Sequence, residues 1–167
     1  RDTSIEEAAF YGCELLTNVT IPPNLIYIGR DAFYGTRWKR LMGDYAIING
    51  ILFDYAGNGV NVTIPDNVTS IGAYAFEDCK GLTSVTIPEG VTKLDYYAFS
   101  GCSSLESVTI PSSVTGIRAC AFSGCTSLES VIIPYGVKWI DWWAFSGCSS
   151  LTSMTIPVSV TQIGWEA

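Results

Sequence analysis

Five of the six cysteines occupy one register, Cys13, Cys79, Cys102, Cys125 and Cys148, and the last four are 23 residues apart. Thiols repeated at fixed spacing could form disulfides, bind metal or simply fill space. Stacked strands set equivalent atoms about 4.8 Å apart. That spacing admits a disulfide by α-carbon distance, but parallel side chains give the wrong dihedral. The chain has no His and no paired C-x-x-C motif, so zinc has no ligand set. The register reads as a ladder of inert, buried thiols acting as small hydrophobes. Cys120 stands outside it, two residues before Phe122, and is expected at the surface.

Catalytic chemistry finds little to work with. The commonest general base is missing, and Ser and Thr recur in every repeat, whereas a nucleophile is needed only once. The acidic pairs Glu6-Glu7 and Glu77-Asp78 read as solvated surface, and no phosphate-cradling glycine loop is present. The expectation is a non-enzyme with no catalytic residue, no cofactor and no metal. A net charge of −7 argues against a nucleic-acid partner held through phosphates. The one basic run, Arg37 to Arg40, reads as a solvated loop. No apolar run reaches membrane-spanning length, so direct membrane insertion is not expected. Asn18, Asn61 and Asn67 each open an "NVT" sequon, a glycosylation acceptor in a eukaryotic source; the repeat pattern also accounts for the threonines.

The elements that position these residues follow from an internal repeat. Prolines fall at 65, 88, 111, 134 and 157, each 23 apart. One period reads "IPEGVTKLDYYAFSGCSSLESVT" (Ile87 to Thr109). Its apolar columns persist: the Phe99 column reads Phe10, Phe33, Phe76, Phe99, Phe122 and Phe145. "SVTIP" alternates as a short strand and is ended by proline. "VTGI" is a second short extended piece, and "AFSGC" reads as a single helical or 3₁₀ turn closed by glycine. The burial available to one such coil is less than the entropy of ordering it, so about seven coils must stack as a solenoid.

Residues 1–167 read as a single solenoid. The chain begins and stops mid-repeat, and so reads as a fragment of a longer one. Core exposed at its uncapped ends offers a route to self-association. Pro22 and Pro65 are 43 residues apart, about 20 more than the period, which places an insertion at residues 37–59 within the second repeat. Thr36 and Lys39 stand there where Cys and Leu are expected. Asn49-Gly50 between two apolar runs predicts a type I′ β-hairpin that extends a solenoid sheet to one side.

The joint spacing of Pro, Ala-Phe, Cys and Leu, "IP--VT-I---AF-GC-SL-SVTIP", resembles the BspA-like (Treponema pallidum-type) leucine-rich repeats across essentially the whole chain. The "INGILFDY" segment resembles a hairpin that interrupts many members. The resemblance implies a right-handed leucine-rich-repeat solenoid on a secreted or cell-surface protein, adhesion to host or microbial partners, and no catalysis. The family has no fixed binding motif, so the resemblance assigns no functional residue.

Two columns just before each Ala-Phe vary freely. One reads Glu7, Arg30, Ala73, Tyr96, Ala119, Trp142 and Trp165; the next reads Ala8, Asp31, Tyr74, Tyr97, Cys120, Trp143 and Glu166. Size and charge change too much for a core, so both columns are expected on the surface. From Ala73 onward they are rich in Tyr and Trp, and Trp139 lies close by. Large exposed aromatics mark binding surfaces. The candidate contact strip is therefore Tyr74, Tyr96, Tyr97, Trp139, Trp142, Trp143 and Trp165, for a host or microbial surface protein or a glycan. A second reading has the same rings packing along the stack to stiffen a stalk. An outward threonine column (Thr20, Thr63, Thr86, Thr109, Ile132, Thr155) resembles ice-binding arrays, but threonine suits strands generally and Ile132 interrupts it.

Overall fold

Alternation of apolar and polar residues over short stretches produces strands of two to five residues, too short to stand alone. A computed structural model describes residues 3–167. The order is β1 (Thr3–Ile5), β2 (Leu25–Ile28), α1 (Arg37–Arg40), β3 (Tyr45–Ile48), β4 (Ile51–Tyr55), β5 (Asn61–Thr63), β6 (Ser70–Ile71) and β7 (Ser84–Thr86). Then come β8 (Lys93–Leu94), β9 (Ser107–Thr109), β10 (Gly116–Ile117), β11 (Ser130–Ile132), β12 (Trp139–Ile140), β13 (Ser153–Thr155) and β14 (Gln162–Ile163).

The coils stack in register at the 23-residue period. The "SVT" strands form one parallel sheet, β13-β11-β9-β7-β5, in which Ser84 faces Ser107 and Ser107 faces Ser130. The "VT-I" strands form another, β14-β12-β10-β8-β6-β4-β3, parallel except for its last pair. β1 and β2 make a separate parallel pair. In β5, β9 and β11 the central residue is buried and its neighbours are exposed, as a half-buried strand requires. Hydroxyls tie the coils further. Thr92, Thr126 and Thr161 donate to the carbonyls of Thr69, Ser103 and Lys138, each one coil back, at 3.1–3.3 Å. This is why Thr and Ser are so frequent.

The "AFSGC" segments do not form α-helix. They are runs of turns in which alternate N–H groups bond within the coil and up the stack. Ala98, Ser100 and Cys102 donate to residues three back, while Tyr97, Phe99 and Gly101 donate to the next coil. Gly101, at φ 72°, closes the run with a conformation that suits glycine.

The interior carries a ladder of rings. Phe76, Phe99, Phe122 and Phe145 stack face to face with centroids 4.9, 5.3 and 5.3 Å apart and planes within 14°. Tyr55 joins the end of the ladder against Phe76 at 4.8 Å.

The predicted hairpin is present, and it does more than extend a sheet. Asn49 and Gly50 both have positive φ, 49° and 78°, as a type I′ turn demands. β4 pairs antiparallel with β3 on one side and parallel with β6 on the other. β4 is therefore itself a rung of the solenoid. The interior is consequently not continuous. Leu52 belongs to the large core running to Phe145, while Ile51 and Phe53 join a smaller one with Leu25, Ile28, Ala32, Phe33, Ala46 and Ile48. Thr36 occupies a cysteine position, fully buried. Its hydroxyl donates to the Phe33 carbonyl and accepts from the Lys39 N–H, capping α1; a thiol would be the weaker cap.

Candidate functional site

The two variable columns have distinct backbones. Every member of the second, Ala8, Asp31, Tyr74, Tyr97, Cys120, Trp143 and Glu166, has φ between 52° and 62°. These are left-handed positions filled by residues other than glycine, which costs energy for any side chain and most for a β-branched one. Neighbouring coils hold the conformation in place. The N–H groups of Tyr74, Tyr97, Cys120 and Trp143 donate to the carbonyls of Tyr96, Ala119, Trp142 and Trp165 in the following coil, at 3.0–3.2 Å.

The columns also differ in what their side chains touch. In the second, Tyr74 and Tyr97 lie flat on each other, 4.9 Å apart and within 7° of parallel. Arg30 covers Tyr74 at 5.4 Å. A hydrogen bond between the Tyr97 hydroxyl and the Cys120 thiol pushes the phenol's ionisation up. The Trp143 indole N–H donates to Glu166 at 2.8 Å, and its ring meets Trp165 edge-on at 5.7 Å. Tyr74, Tyr97 and Trp143 are half-buried. Cys120 corrects a sequence expectation. It is buried, 6% exposed, because its small thiol lies between the larger side chains of Tyr97 and Trp143 in the same column.

The first column is the exposed one. Tyr96, Trp142 and Trp165 are 38%, 57% and 66% exposed. Ala73 departs from the expectation for this column and is buried, 2% exposed. Arg118 lies over the Tyr96 ring at 5.3 Å and donates to its hydroxyl at 3.3 Å. Trp139, half-buried, projects from β12 between Gly116 and Gln162 of the flanking coils. The seven candidate aromatics thus divide into a half-buried row (Tyr74, Tyr97, Trp143) and a second group (Tyr96, Trp139, Trp142, Trp165) in which Trp139 alone is half-buried, and Trp143 meets Trp165 across the two. What the sequence reading missed is the polar company of the second group: Arg118, Asp141 and Gln162. The column of Asp141, which also reads Gly72, Asp95, Arg118 and Gly164, varies as freely as the two columns singled out.

The cysteine register behaves as structure. No disulfide forms among the described residues. Cys102, Cys125 and Cys148 direct their sulfur at the carbonyls of Phe76, Phe99 and Phe122, at 3.1–3.3 Å. Burial pushes the Cys79 thiol up to about 11, and burial raises Cys102 as well. Cys13 is exposed. Among the described residues no group of three His, Cys, Asp or Glu side chains could hold a metal ion. No helix among them is long and apolar enough to cross a membrane.

Short parallel strands at a 23-residue period, a sealed ring ladder and freely decorated outer columns define a leucine-rich-repeat solenoid. The chain belongs to the BspA type leucine rich repeat family, whose sequence model matches six copies over residues 2–43 and 46–167. It is similar to the Treponema pallidum leucine-rich-repeat protein at 31% identity and a TM-score of 0.68, over 72% of this chain and 60% of that one. It is similar to a leucine-rich cell-surface protein of Faecalibacterium prausnitzii at 29% identity and a TM-score of 0.70, over 99% of this chain and 52% of that one. The pneumococcal vaccine antigen PcpA shares the fold, at 21% identity and a TM-score of 0.67, over 87% of this chain and 41% of that one. The chain therefore spans 60% and 52% of the first two proteins. No curated protein matches it. The chain is a repeat module of the binding or scaffold type, in a class that typically serves interaction and not catalysis.

Proposed function

We propose that the chain is an extracellular, non-enzymatic module that adheres to a partner on a host or microbial surface through the exposed aromatics of its lateral face. The observation that carries this reading is the single column of Tyr96, Trp142 and Trp165, 38–66% exposed, on coils whose ladder rings Phe99, Phe122 and Phe145 are buried. Rings left in water at neighbouring positions are the usual core of an interaction surface. A relative described as a cell-surface protein supports the extracellular setting. The test is binding of the purified chain to a panel of extracellular-matrix proteins and glycans, repeated with Trp142→Ser/Trp143→Ser. Loss of binding at an unchanged melting temperature supports adhesion.

A second reading, a stalk that holds other domains away from the cell, is favoured by the parallel Tyr74–Tyr97 stack, which uses aromatic surface inside the coil array. In that case no partner binds, and the same double substitution lowers the melting temperature.

A further inference from the structure

Between the coils of β10, β12 and β14 the outer face is not flat. Arg118, Trp139, Asp141, Trp142, Thr161 and Gln162 line a cavity of about 630 Å³, well within the size of sites that hold small ligands. Its origin is visible in the register. Gly116, Trp139 and Gln162 face one another on three successive rungs. Other coils place Ser70 or Lys93 at this position. The Trp139 indole lies across Gly116 so closely that a β-carbon there would come within 2.1 Å of its Cε2 atom. In the coil above, Gly164 lets Trp142 approach as closely; a β-carbon there would meet its Cδ1 atom at 2.5 Å. Two tryptophans are thus each set beside a glycine, with room in front of them.

The polar side chains make this a different surface from an apolar slot. Asp141 accepts the Trp142 N–H at 2.9 Å through Oδ1; Oδ2 enters no ion pair among the described residues. Arg118 is anchored on Tyr96 through one nitrogen, Nη1. Gln162 is exposed and both donates and accepts. A guanidinium, a carboxylate and an amide around two indoles match a ligand with one apolar face and a rim of hydroxyls. Arg118 and Asp141 cancel each other's charge, and the chain as a whole is acidic. An anionic ligand therefore gains nothing here.

We infer that this cavity binds a neutral oligosaccharide, with a pyranose ring stacked on Trp139 or Trp142 and its hydroxyls bonded to Asp141, Arg118 and Gln162. The inference rests on the adhesive reading above and names its ligand class. Loss of the aromatic platform is expected to weaken binding about tenfold, equivalent to about 1.4 kcal/mol.

The experiment uses the intact chain and titrates tryptophan fluorescence with methyl glycosides of glucose, galactose and N-acetylglucosamine, and with their β-linked oligomers. Sialylated and sulfated oligosaccharides serve as the charged arm. The expected result is saturable binding of a neutral oligomer, about tenfold weaker in Trp139→Ala, partly kept in Trp139→Phe, and weakened in Asp141→Asn. Asparagine keeps the hydrogen bond to Trp142, so that variant is expected to fold. Preference for the charged arm, or binding unaffected by Trp139→Ala in a protein that melts normally, overturns the inference. If the chain captures a deglycosylated matrix protein and no sugar, the oligosaccharide is wrong while adhesion survives. If it binds nothing on either panel, both readings fall.

Discussion

Cys102 directs its thiol at the carbonyl of Phe76, 26 residues earlier, at 3.1 Å. The same contact recurs from Cys125 to Phe99 and from Cys148 to Phe122. It explains why cysteine, and not alanine or valine, recurs in that column. The residue must be small and apolar, and its thiol adds a weak second donor to a carbonyl that already accepts the N–H of the cysteine in its own coil, as Phe76 accepts from Cys79 and Phe99 from Cys102. Ellman's reagent should modify Cys13 at once in the native chain and leave Cys102 and Cys125 untouched until urea unfolds it. Rapid native reaction at Cys102 would show that the column opens.

Alkaline stability follows from the same burial. Burial pushes the Cys79 thiol up to about 11 in the folded chain, against 9.0 for an unperturbed thiol. A folded-state pKa raised in this way leaves stability undiminished below pH 9, and stability is lost as the pH climbs from 9 towards 11. The urea midpoint should fall over that window, and Cys79→Ala should flatten the fall. A midpoint unchanged across the window would count against a buried thiol.

The ring ladder sets the largest single-site effects. Phe99 is fully buried between Phe76 and Phe122, and Phe99→Ala should cost about 3–5 kcal/mol in urea unfolding. Among the described residues Phe10 stacks on one ring, Phe33 at 5.2 Å, and it is 37% exposed. Phe10→Ala should cost clearly less. Equal losses at the two sites would contradict a ladder whose rings are sealed from both sides.

The left-handed column can be tested at its buried member. Cys120→Ala and Cys120→Val place similar small apolar groups at φ 58°, but only valine branches at Cβ. Valine should be the less stable by about 1–2 kcal/mol. Equal stability would mean that the backbone relaxes to another conformation.

The hairpin turn is held at its tip. The Asn49 amide donates to the Pro22 carbonyl at 3.0 Å, and a β-carbon on Gly50 would lie 2.5 Å from the Thr69 hydroxyl. Gly50→Ala combines positive φ with that clash and should cost at least about 1–2 kcal/mol. Because β4 stands between two cores, the smaller N-terminal one should lose amide protection first in hydrogen exchange. Uniform loss across Phe33 and Phe122 would indicate a single cooperative unit.

The fold was readable because the same coil is written repeatedly, so Val91, Phe99, Cys102 and Leu105 each appear in a column of equivalents. Burial of Phe76, Phe99 and Phe122 followed from that alone. The role of β4 was not readable, since the surplus of residues between Pro22 and Pro65 looks the same whether it adds a flap or a rung. Cys120 was misplaced because a column of mixed residues was taken to be uniformly outside. Its burial depends on Tyr97 and Trp143, whose bulk is a property of the neighbours and not of the slot. The left-handed backbone did leave a trace, since none of the seven residues in that column is Val, Ile or Thr. The cavity at Trp139 escaped notice because glycines at 116 and 164 make room for the tryptophans that line it, and a missing side chain reads as neutral in a list of aromatics.

The left-handed column separates what the molecule displays from what holds it together. Its backbone is pinned by bonds to the next coil, whichever unbranched side chain it carries. Exchange of Tyr for Cys, Trp or Glu at one such position rewrites a single tile of the exterior and leaves the register of the stack intact. Proteins assembled from these coils can therefore diversify their contacts tile by tile, or by duplicating whole coils, without redesigning the interior.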